Sequence, residues 1–385
     1  MQQFITKRIG SDYIAWFEPS NRWVKFEEPA WYINKLYHKG LDTQSILSKF
    51  AKKYSLDESE CLTFVKQICT NLLEISIPLQ PEQTVKLPSG FTESSSASLY
   101  STRYYRLEEK VMRIQYDSRL SEYYIHPPFE YLEILTHIGK VDRSYKVVSL
   151  DEVKGLFKEG RVRDPKLFGD FVSLRKHLYI DLAGLIFNKS QGDWLSFVHA
   201  SAVSDGHQTI LLASDSGSGK STMAAFLQAR GLTLVSDDFV PIEAKSLLAY
   251  PFPVAPSVKK GAFSALSPFY GDLENKNYNA YPHSHASVRY LPIPGSKKQN
   301  PKPKVVRAVV FLKYNPEARC NFTQIPVVDA LSGFHEQAWV SSRPDHARIF
   351  IDWFVNIPCY TLEYGDNEQG IEKIVGLFGK DALKN

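Results

Sequence analysis

The sequence predicts an α/β protein in which a larger α/β domain follows a small α+β domain. Between residues 208 and 238 a strand, a Gly-containing loop, a helix, a second strand and an acidic pair follow one another. The first 77 residues instead contain a hairpin pattern and three helical patterns. A length of 385 residues agrees with two or three domains of ordinary size.

The composition excludes several broad classes of protein. With 43% hydrophobic and 13% aromatic residues the chain can bury a core, so it is not disordered throughout. A net charge of +4 is too small for a protein that coats nucleic acid. No apolar run reaches the roughly 18–20 residues that span a bilayer, and the N-terminus lacks a secretion signal. We therefore expect a soluble, cytoplasmic protein with neither membrane nor nucleic-acid partners.

The four cysteines do not form a metal-binding or disulfide pattern. They are Cys61, Cys69, Cys320 and Cys359, and none of them has CxxC spacing. Cys61 and Cys69 lie eight residues apart in a helical pattern, which favours buried apolar side chains.

Residues 1–77 are predicted to form a domain of their own. Two β-rich runs, 13–17 and 22–26, flank the turn residues Pro19-Ser20-Asn21 and so predict a hairpin. Three helical patterns follow. The first covers residues 31–37, the second begins at the N-cap pair Asp42-Thr43, and the third begins near Ser55 or Asp57.

The rest of the chain is predicted to be a linker and one larger domain. Residues 78–98 are rich in Pro, Gly and Ser and predict a linker. Residues 99–195 form a mixed α/β lead-in, with a strand pattern at 111–116 and a helical one at 171–187. We therefore predict a domain over residues 99–385 that includes this lead-in.

The most informative stretch begins with two strands, residues 197–203 and 208–213, joined by a turn. The loop Ser214–Gly219, called the glycine loop below, then leads into a predicted helix from Lys220 to Arg230. A short strand at 232–235 leads directly into Asp237-Asp238.

The glycine loop fits the phosphate-binding P-loop pattern at Gly219, Lys220 and Ser221, with Ser214 where the first Gly would stand. Backbone N–H groups in such a loop form a concavity that binds anions, and the following helix adds its positive end. Gly217 and Gly219 permit close backbone approach. Lys220 would contact the outer phosphates, and the Ser221 hydroxyl can ligate Mg²⁺. The alternative is a strand-to-helix turn that binds nothing.

Asp237 and Asp238 follow a strand at the edge where α/β sheets present ligands. One carboxylate can hold Mg²⁺, and the other can accept a proton from an attacking hydroxyl. In isolation two adjacent aspartates are more often a solvated turn, but their position after the glycine loop favours the functional interpretation.

These residues resemble a known family. Leu211–Ser221, Arg230-Gly231 and Leu234–Asp238 are similar to the catalytic core of HPr kinase/phosphorylase and its relatives, which keep a GDSGxGKS loop, a helix ending in Arg-Gly and an Asp pair. Ile357–Tyr364 resembles the closing strand of that group, so the resemblance covers about 195–375. It implies a mixed sheet of the HPr kinase C-terminal type, related to phosphoenolpyruvate carboxykinase.

The resemblance also implies roles for individual residues. ATP phosphates would be bound by Asp215, Ser216, Gly217, Ser218, Gly219, Lys220, Ser221 and Thr222. Mg²⁺ would be held by Ser221 and Asp238, and Asp237 would be the base. His199 would orient that base or the phosphate, although a structural sheet histidine is an equal alternative. Arg289 could neutralise the transferring phosphoryl, or belong to a solvated basic segment.

The sequence departs from HPr kinase itself in three ways. Thr222 replaces the usual acid after the serine, Ser214 replaces the first Gly, and the later Arg-Gly signature is not found. HPr is therefore not the expected substrate, and reversal by phosphorolysis is not implied.

The front domain resembles PqqD, a small winged-helix module that holds leader peptides in ribosomal peptide biosynthesis. The resemblance rests on the aromatic hairpin, Trp31-Tyr32-Ile33, Gly40-Leu41-Asp42, Ile46–Phe50 and the third helix. Such modules add an extended peptide to a sheet edge. The alternatives are a structural cap and a DNA-binding winged helix, and against the latter Lys66 is the one basic residue of the third helix.

Together these patterns predict an ATP- and Mg²⁺-dependent kinase that phosphorylates a Ser or Thr hydroxyl on a peptide or small protein bound by residues 1–77, as in ribosomal peptide modification. Two alternatives remain open. One is a small-molecule kinase with a structural front domain, and the other is a nucleotide-binding sensor or scaffold without transfer activity. The resemblance is also compatible with a homo-oligomeric protein.

Overall fold

The computed structural model describes residues 4–78, 99–150, 152–158, 166–215, 217–271, 273, 279–280, 287–291 and 302–379. The chain divides into two compact units. Unit 1 comprises Met1–Glu82 and Ile325–Pro358, and unit 2 comprises Gln83–Gln324 and Cys359–Asn385. The predicted linker spans residues 78–98, and all of it except residue 78 lies outside the described residues.

The helices and strands are numbered in chain order. The helices are α1 (Glu28–Tyr37), α2 (Thr43–Tyr54), α3 (Glu58–Ile75), α4 (Arg119–Ile125), α5 (Phe171–Phe187), α6 (Lys220–Ala229), α7 (Phe263–Tyr270), α8 (Val327–Glu336), α9 (Pro344–Phe354) and α10 (Asn367–Gly376). The strands are β1 (Phe4–Ile9), β2 (Asp12–Phe17), β3 (Arg22–Phe26), β4 (Ser101–Leu107), β5 (Lys110–Tyr116), β6 (Glu133–Ile134), β7 (Arg143–Leu150), β8 (Val153–Lys158), β9 (Lys166–Phe168), β10 (Trp194–Val198), β11 (Ser201–Ser204), β12 (Gln208–Ala213), β13 (Thr233–Ser236), β14 (Val240–Glu243), β15 (Leu248–Ala249), β16 (Ser257–Lys259), β17 (Asn279–Ala280), β18 (Ser287–Tyr290), β19 (Lys304–Tyr314), β20 (Asn321–Ile325), β21 (Ala338–Val340) and β22 (Cys359–Tyr364).

Unit 1 contains the elements predicted for the front of the chain. The hairpin is confirmed as β2–β3, and β1, which the sequence analysis did not predict, pairs with β2. The three helices are confirmed as α1, α2 and α3. The side chain of Asp42 accepts a hydrogen bond from Ser45 N at 2.9 Å and caps α2, as its position predicts. Cys61 and Cys69 are free and buried on α3.

The sheet of unit 1 is covered on both faces. Ala15 and Phe17 of β2 belong to the cluster formed with α1, α2 and α3. Ile14 and Trp16 alternate with them, point to the other face, and are also buried. On β3 the ring of Trp23 lies 5.1 Å from that of Phe350 in α9, between centroids. The sheet therefore needs a second covering layer, which α1–α3 do not supply.

Residues 325–358 supply contacts to that second face within unit 1. Lys25 Nζ lies 2.8 Å from Asp329 Oδ1 of α8, and Asn21 Nδ2 donates to the carbonyl of Val340 at 3.1 Å. The predicted boundaries placed these residues in the domain 99–385. The compact unit around the front sheet instead includes them, because a strand that is apolar on both faces packs between two layers.

The main sheet of unit 2 is mixed. Its strand order is β13-β11-β12-β19-β15-β14-β10, and β22 lies beside β19 and pairs with β20. β19 is parallel to both β12 and β22, whereas β11 is antiparallel to β12. The coarse prediction of an α/β protein with a mixed sheet is thus confirmed.

One predicted strand is wrong. Residues 197–203 do not form a single strand, because the chain bends at His199-Ala200 and Ala200 N donates to Val198 O at 3.0 Å. β10 then pairs with β14, while β11 pairs with β12 and β13. His199 therefore lies at a break between strands and not within one.

The lead-in region has a sheet of its own in unit 2, with the order β6-β4-β5-β7-β8-β9. The predicted strand at 111–116 is β5, and the predicted helix at 171–187 is α5. A third, small sheet has the order β16-β18-β17. Within the described ranges, no helix combines the length and the apolar character that crossing a bilayer requires.

The core of unit 2 fixes the helix that follows the glycine loop. Met223 and Phe226 of α6 are buried with Leu212 of β12, Val258 of β16 and Phe263 of α7. This packing holds the first turn of α6 between β12 and the small sheet.

Substitution of Trp16 by Ala should destabilise unit 1. Trp16 is fully buried and its Nε1 donates to Asn21 Oδ1 at 2.7 Å. We expect the free energy of unfolding to fall by about 3–5 kcal/mol, the usual cost of truncating a buried Trp. Urea unfolding, with Leu73→Ala on the exposed side of α3 as the control, measures this difference. Equal unfolding curves for the two variants would contradict the double-sided packing of β2.

Candidate active site

The glycine loop connects β12 to α6 and is held at both ends. Ser214 Oγ donates to Leu312 O of β19 at 2.6 Å. Tyr314 N, at the end of the same strand, donates to Ser218 O at 3.2 Å. The parallel partner strand therefore fixes the position of the loop.

Two glycines give the loop its conformation. Gly217 and Gly219 have φ angles of 94° and 99°, which side chains rarely adopt. A Cβ on Gly219 would also lie 3.1 Å from the hydroxyl of Tyr364. Ser216, one of the predicted phosphate-binding residues, lies outside the described residues.

Lys220 is the first residue of α6 and its ammonium group lies inside the loop. Nζ donates to the carbonyl oxygens of Ser214 at 2.6 Å and Asp215 at 3.0 Å. Burial of the side chain lowers the pKa of Lys220, and the charges of Asp238 and Asp237 oppose that shift. The first N–H groups of α6 have no partner within the helix, so they add positive potential at the same place. The loop, the lysine and the helix end together favour an anion.

The remaining predicted loop residues surround this position. Asp215 is exposed, and Ser218 N donates to its carbonyl at 3.3 Å. Ser218 Oγ is buried and has no hydrogen-bond partner within the part of the chain that the structure describes. Ser221 and Thr222 occupy the first turn of α6 and are partly buried.

Asp237 follows β13 and its carboxyl group is buried, with 1% of the residue exposed. Ser201 Oγ of β11 donates to Oδ1, and Ser257 N of β16 donates to Oδ2 at 3.1 Å. Burial and the neighbouring charge of Asp238 raise the pKa of Asp237 to about 7, whereas hydrogen bonds from Ser201 and Ser221 act to lower it. A carboxyl group with a pKa near neutrality can accept and release a proton at physiological pH.

Asp238 differs from its neighbour in exposure. Its side chain is 35% exposed, and its φ angle is 59°, a left-handed conformation. Ser257 Oγ donates to Oδ2 of Asp238 at 3.3 Å, so Ser257 contacts both carboxylates. The site therefore has one buried carboxyl group and one that solvent can reach.

Ser201 and Ser257 were not predicted as site residues. Ser201 directly follows the strand break that the sequence analysis missed, and Ser257 lies on a three-residue strand without a periodic pattern. Their link to Asp237 depends on long-range pairing, which no local motif indicates.

His199 lies at the break between β10 and β11, on the same side as Asp238. Its Nδ1 is 3.2 Å from the Asp238 carbonyl oxygen and 3.9 Å from Oδ1. The imidazole is 46% exposed, so it is not a histidine enclosed in a sheet. The structure thus brings His199 to the acidic pair.

Arg289 has a different environment from the one predicted. It lies on β18 directly opposite Val258, with 5% of the residue exposed. Its guanidinium carbon is 4.6 Å from the centroid of the Phe263 ring, and its three side-chain nitrogens have no hydrogen-bond partner within the described chain. Opposed residues share a face of a sheet, and Ser257, next to Val258, points to the other face. The structure therefore does not place Arg289 beside the aspartates.

The residues proposed to hold Mg²⁺ have suitable chemistry. A serine hydroxyl and a carboxylate are oxygen donors, and Mg²⁺ is usually held by one or two such groups together with water and substrate phosphates. Ser221 and Asp238 provide these donors, and the side chains of Ser221 and Ser257 also interact with Asp237 and Asp238 respectively. Across the described ranges, no cluster of three or more His, Cys, Asp or Glu side chains forms an all-protein metal site.

The chain was compared with family models, curated proteins and solved structures. No protein-family model matches the chain, and no curated protein does. Among solved structures, the HPr(Ser) kinase/phosphatase from Coxiella burnetii matches with 10% sequence identity and a TM-score of 0.23. The match covers 46% of this chain and 94% of the other. The proposed function therefore rests on the residues of the site itself and not on this match.

Proposed function

We propose that this protein is an ATP- and Mg²⁺-dependent kinase that phosphorylates a hydroxyl group, a Ser or Thr on a peptide or small protein. The observation that carries the proposal is the arrangement of Asp237 beside the glycine loop. A buried carboxyl group with a pKa of about 7 lies close to a lysine and a helix N-terminus that favour phosphate.

The transfer step follows from this arrangement. The loop amides and Lys220 hold the phosphates, and the acceptor hydroxyl oxygen attacks the γ-phosphorus in line with the leaving oxygen. The bond between the γ-phosphorus and the bridging oxygen breaks, and ADP leaves. The hydroxyl proton passes to the carboxylate of Asp237, which hydrogen bonds from Ser201 and Ser257 hold in position.

Ser221 and Asp238 would hold Mg²⁺, which when bound neutralises charge on the β- and γ-phosphates. His199 would orient the exposed carboxylate or the phosphate, because its ring lies beside Asp238. The position of Arg289 does not support charge stabilisation at the phosphoryl, because its buried guanidinium faces Phe263.

The front sheet is the proposed site for a peptide substrate. Both of its faces are buried within unit 1, so an added peptide strand could pair only at an edge, beside β1 or β3. The same packing favours a second candidate role for this region, a structural cap over residues 325–358.

Incubation of Ser- and Thr-containing peptides with the protein, ATP and Mg²⁺ tests the acceptor class directly. We expect mass spectrometry to show one added phosphate, and expect none with the Asp237→Asn variant, which cannot accept the proton. Transfer to free hydroxy amino acids but to no peptide would support the small-molecule alternative. Binding of ATP without transfer to any acceptor would support a nucleotide sensor.

Lys220→Ala should lower the rate of ATP turnover by about 100-fold or more, because the ammonium in the loop is lost while charge still develops on the phosphates. Lys245→Ala, at an exposed lysine in the turn between β14 and β15, is the matched control and should retain wild-type turnover. Circular dichroism checks that both variants fold. Equal turnover by the two variants would refute the role of Lys220.

The pH dependence of turnover should follow the ionisation of Asp237. Its folded-state pKa of about 7 exceeds the ordinary value of 3.8, so below pH 7 the base is protonated and kcat/KM should fall about tenfold per pH unit.

The native state also binds the extra proton, so stability contributed by this group is present at low pH and is lost as the pH rises through about 7. Rates between pH 5 and 9, and unfolding of Asp237→Asn over the same range, measure both effects. A rate that is flat from pH 5 to 8 would contradict a base with this pKa.

A further inference from the structure

A second lysine lies beside the glycine loop and was not among the predicted site residues. Lys259 is the last residue of β16, two positions after Ser257. Residues two apart on a strand point to the same face. Because Ser257 contacts both Asp237 and Asp238, Lys259 lies on the side of the sheet that faces the acidic pair.

The ammonium group of Lys259 reaches the loop itself. A Cβ built on Gly217 would lie 3.3 Å from Lys259 Nζ, so the missing side chain of that glycine leaves room for the lysine. Lys259 is also one of the charges that act on Lys220, whose pKa it lowers. The two ammonium groups therefore approach the same loop from different elements, Lys220 from α6 and Lys259 from β16.

Lys259 is exposed and forms no ion pair within 4.0 Å among the described residues. Two like charges near one loop repel each other. Asp238, Asp237 and Asp215 also act on Lys220 and offset part of that repulsion. An anion bound between the two lysines would remove the rest, so the two ammonium groups can hold one negatively charged ligand between them.

The position along β16 indicates which part of that ligand Lys259 would contact. Ser257 holds Asp237, beside which the acceptor hydroxyl must lie, and Lys259 is about 6–7 Å further along the strand. In the proposed kinase reaction, the phosphoryl group that moves from the loop to the acceptor would lie between these points.

Resting on the proposed kinase function, we propose that Lys259 binds the terminal phosphate of ATP and stabilises the charge on the phosphoryl group during transfer. Lys259 thus complements Lys220 from a separate element. Removal of its charge should weaken the binding of a triphosphate far more than the binding of a diphosphate, since a diphosphate lacks the group that Lys259 contacts.

Isothermal titration of the Lys259→Met variant with Mg·ATP and Mg·ADP tests this contact, alongside basal ATP hydrolysis. We expect ATP to bind about tenfold or more weakly, ADP to change by less than about twofold, and hydrolysis to slow by about tenfold or more. Lys260→Met is the matched control, because Lys260 is the next residue and is also exposed. It should behave as the wild type, and Lys259→Arg should recover part of the ATP affinity.

The outcomes separate this inference from the kinase proposal. If Lys259→Met binds ATP as Lys260→Met does, the inference is overturned while the kinase function stands. An equal loss of ATP and ADP affinity overturns the assignment to the terminal phosphate. Selective loss of ATP affinity in a protein that phosphorylates no acceptor supports the Lys259 contact and rejects the kinase. A wild-type protein that binds neither nucleotide overturns both.

Discussion

The buried carboxyl group of Asp237 and its hydrogen bonds determine the arrangement of the whole site. An ionisable group without partners in the protein interior is costly, so each donor to Asp237 must be held in place. Ser201 comes from β11 and Ser257 from β16, which joins three segments that are distant in sequence. Because β16 is fixed in this way, Lys259 is carried to the glycine loop. The buried acid thus fixes the position of the second lysine, while β19 holds the glycine loop.

The local parts of this arrangement could be predicted from the sequence. The start of α2 at Asp42, the range of α5, the strand before the glycine loop and the strand before Asp237 follow from an N-cap, apolar patterns and glycines, which act over a few residues. The proximity of Lys220 and Ser221 to the Asp pair could be predicted as well, because the glycine loop and the Asp pair each directly follow a strand.

The other parts depend on contacts between distant residues. The break at His199 occurs because β10 and β11 pair with different strands, which the local sequence of residues 197–203 does not show. The buried environment of Arg289 follows from its register against Val258. The association of residues 325–358 with the front sheet had one local sign, the continuous apolar run from Tyr13 to Phe17. Such a run indicates burial on both faces but does not identify the covering segment.

The proposed function requires a triphosphate bound in the glycine loop and a cation between Ser221 and Asp238. A crystal structure with a non-hydrolysable ATP analogue and Mg²⁺ would test this binding mode. We expect the β- and γ-phosphates within about 3.2 Å of backbone nitrogens between Gly217 and Lys220, and the metal bound to oxygens of Ser221 and Asp238. A nucleotide bound elsewhere, with the loop free of phosphate, would contradict it.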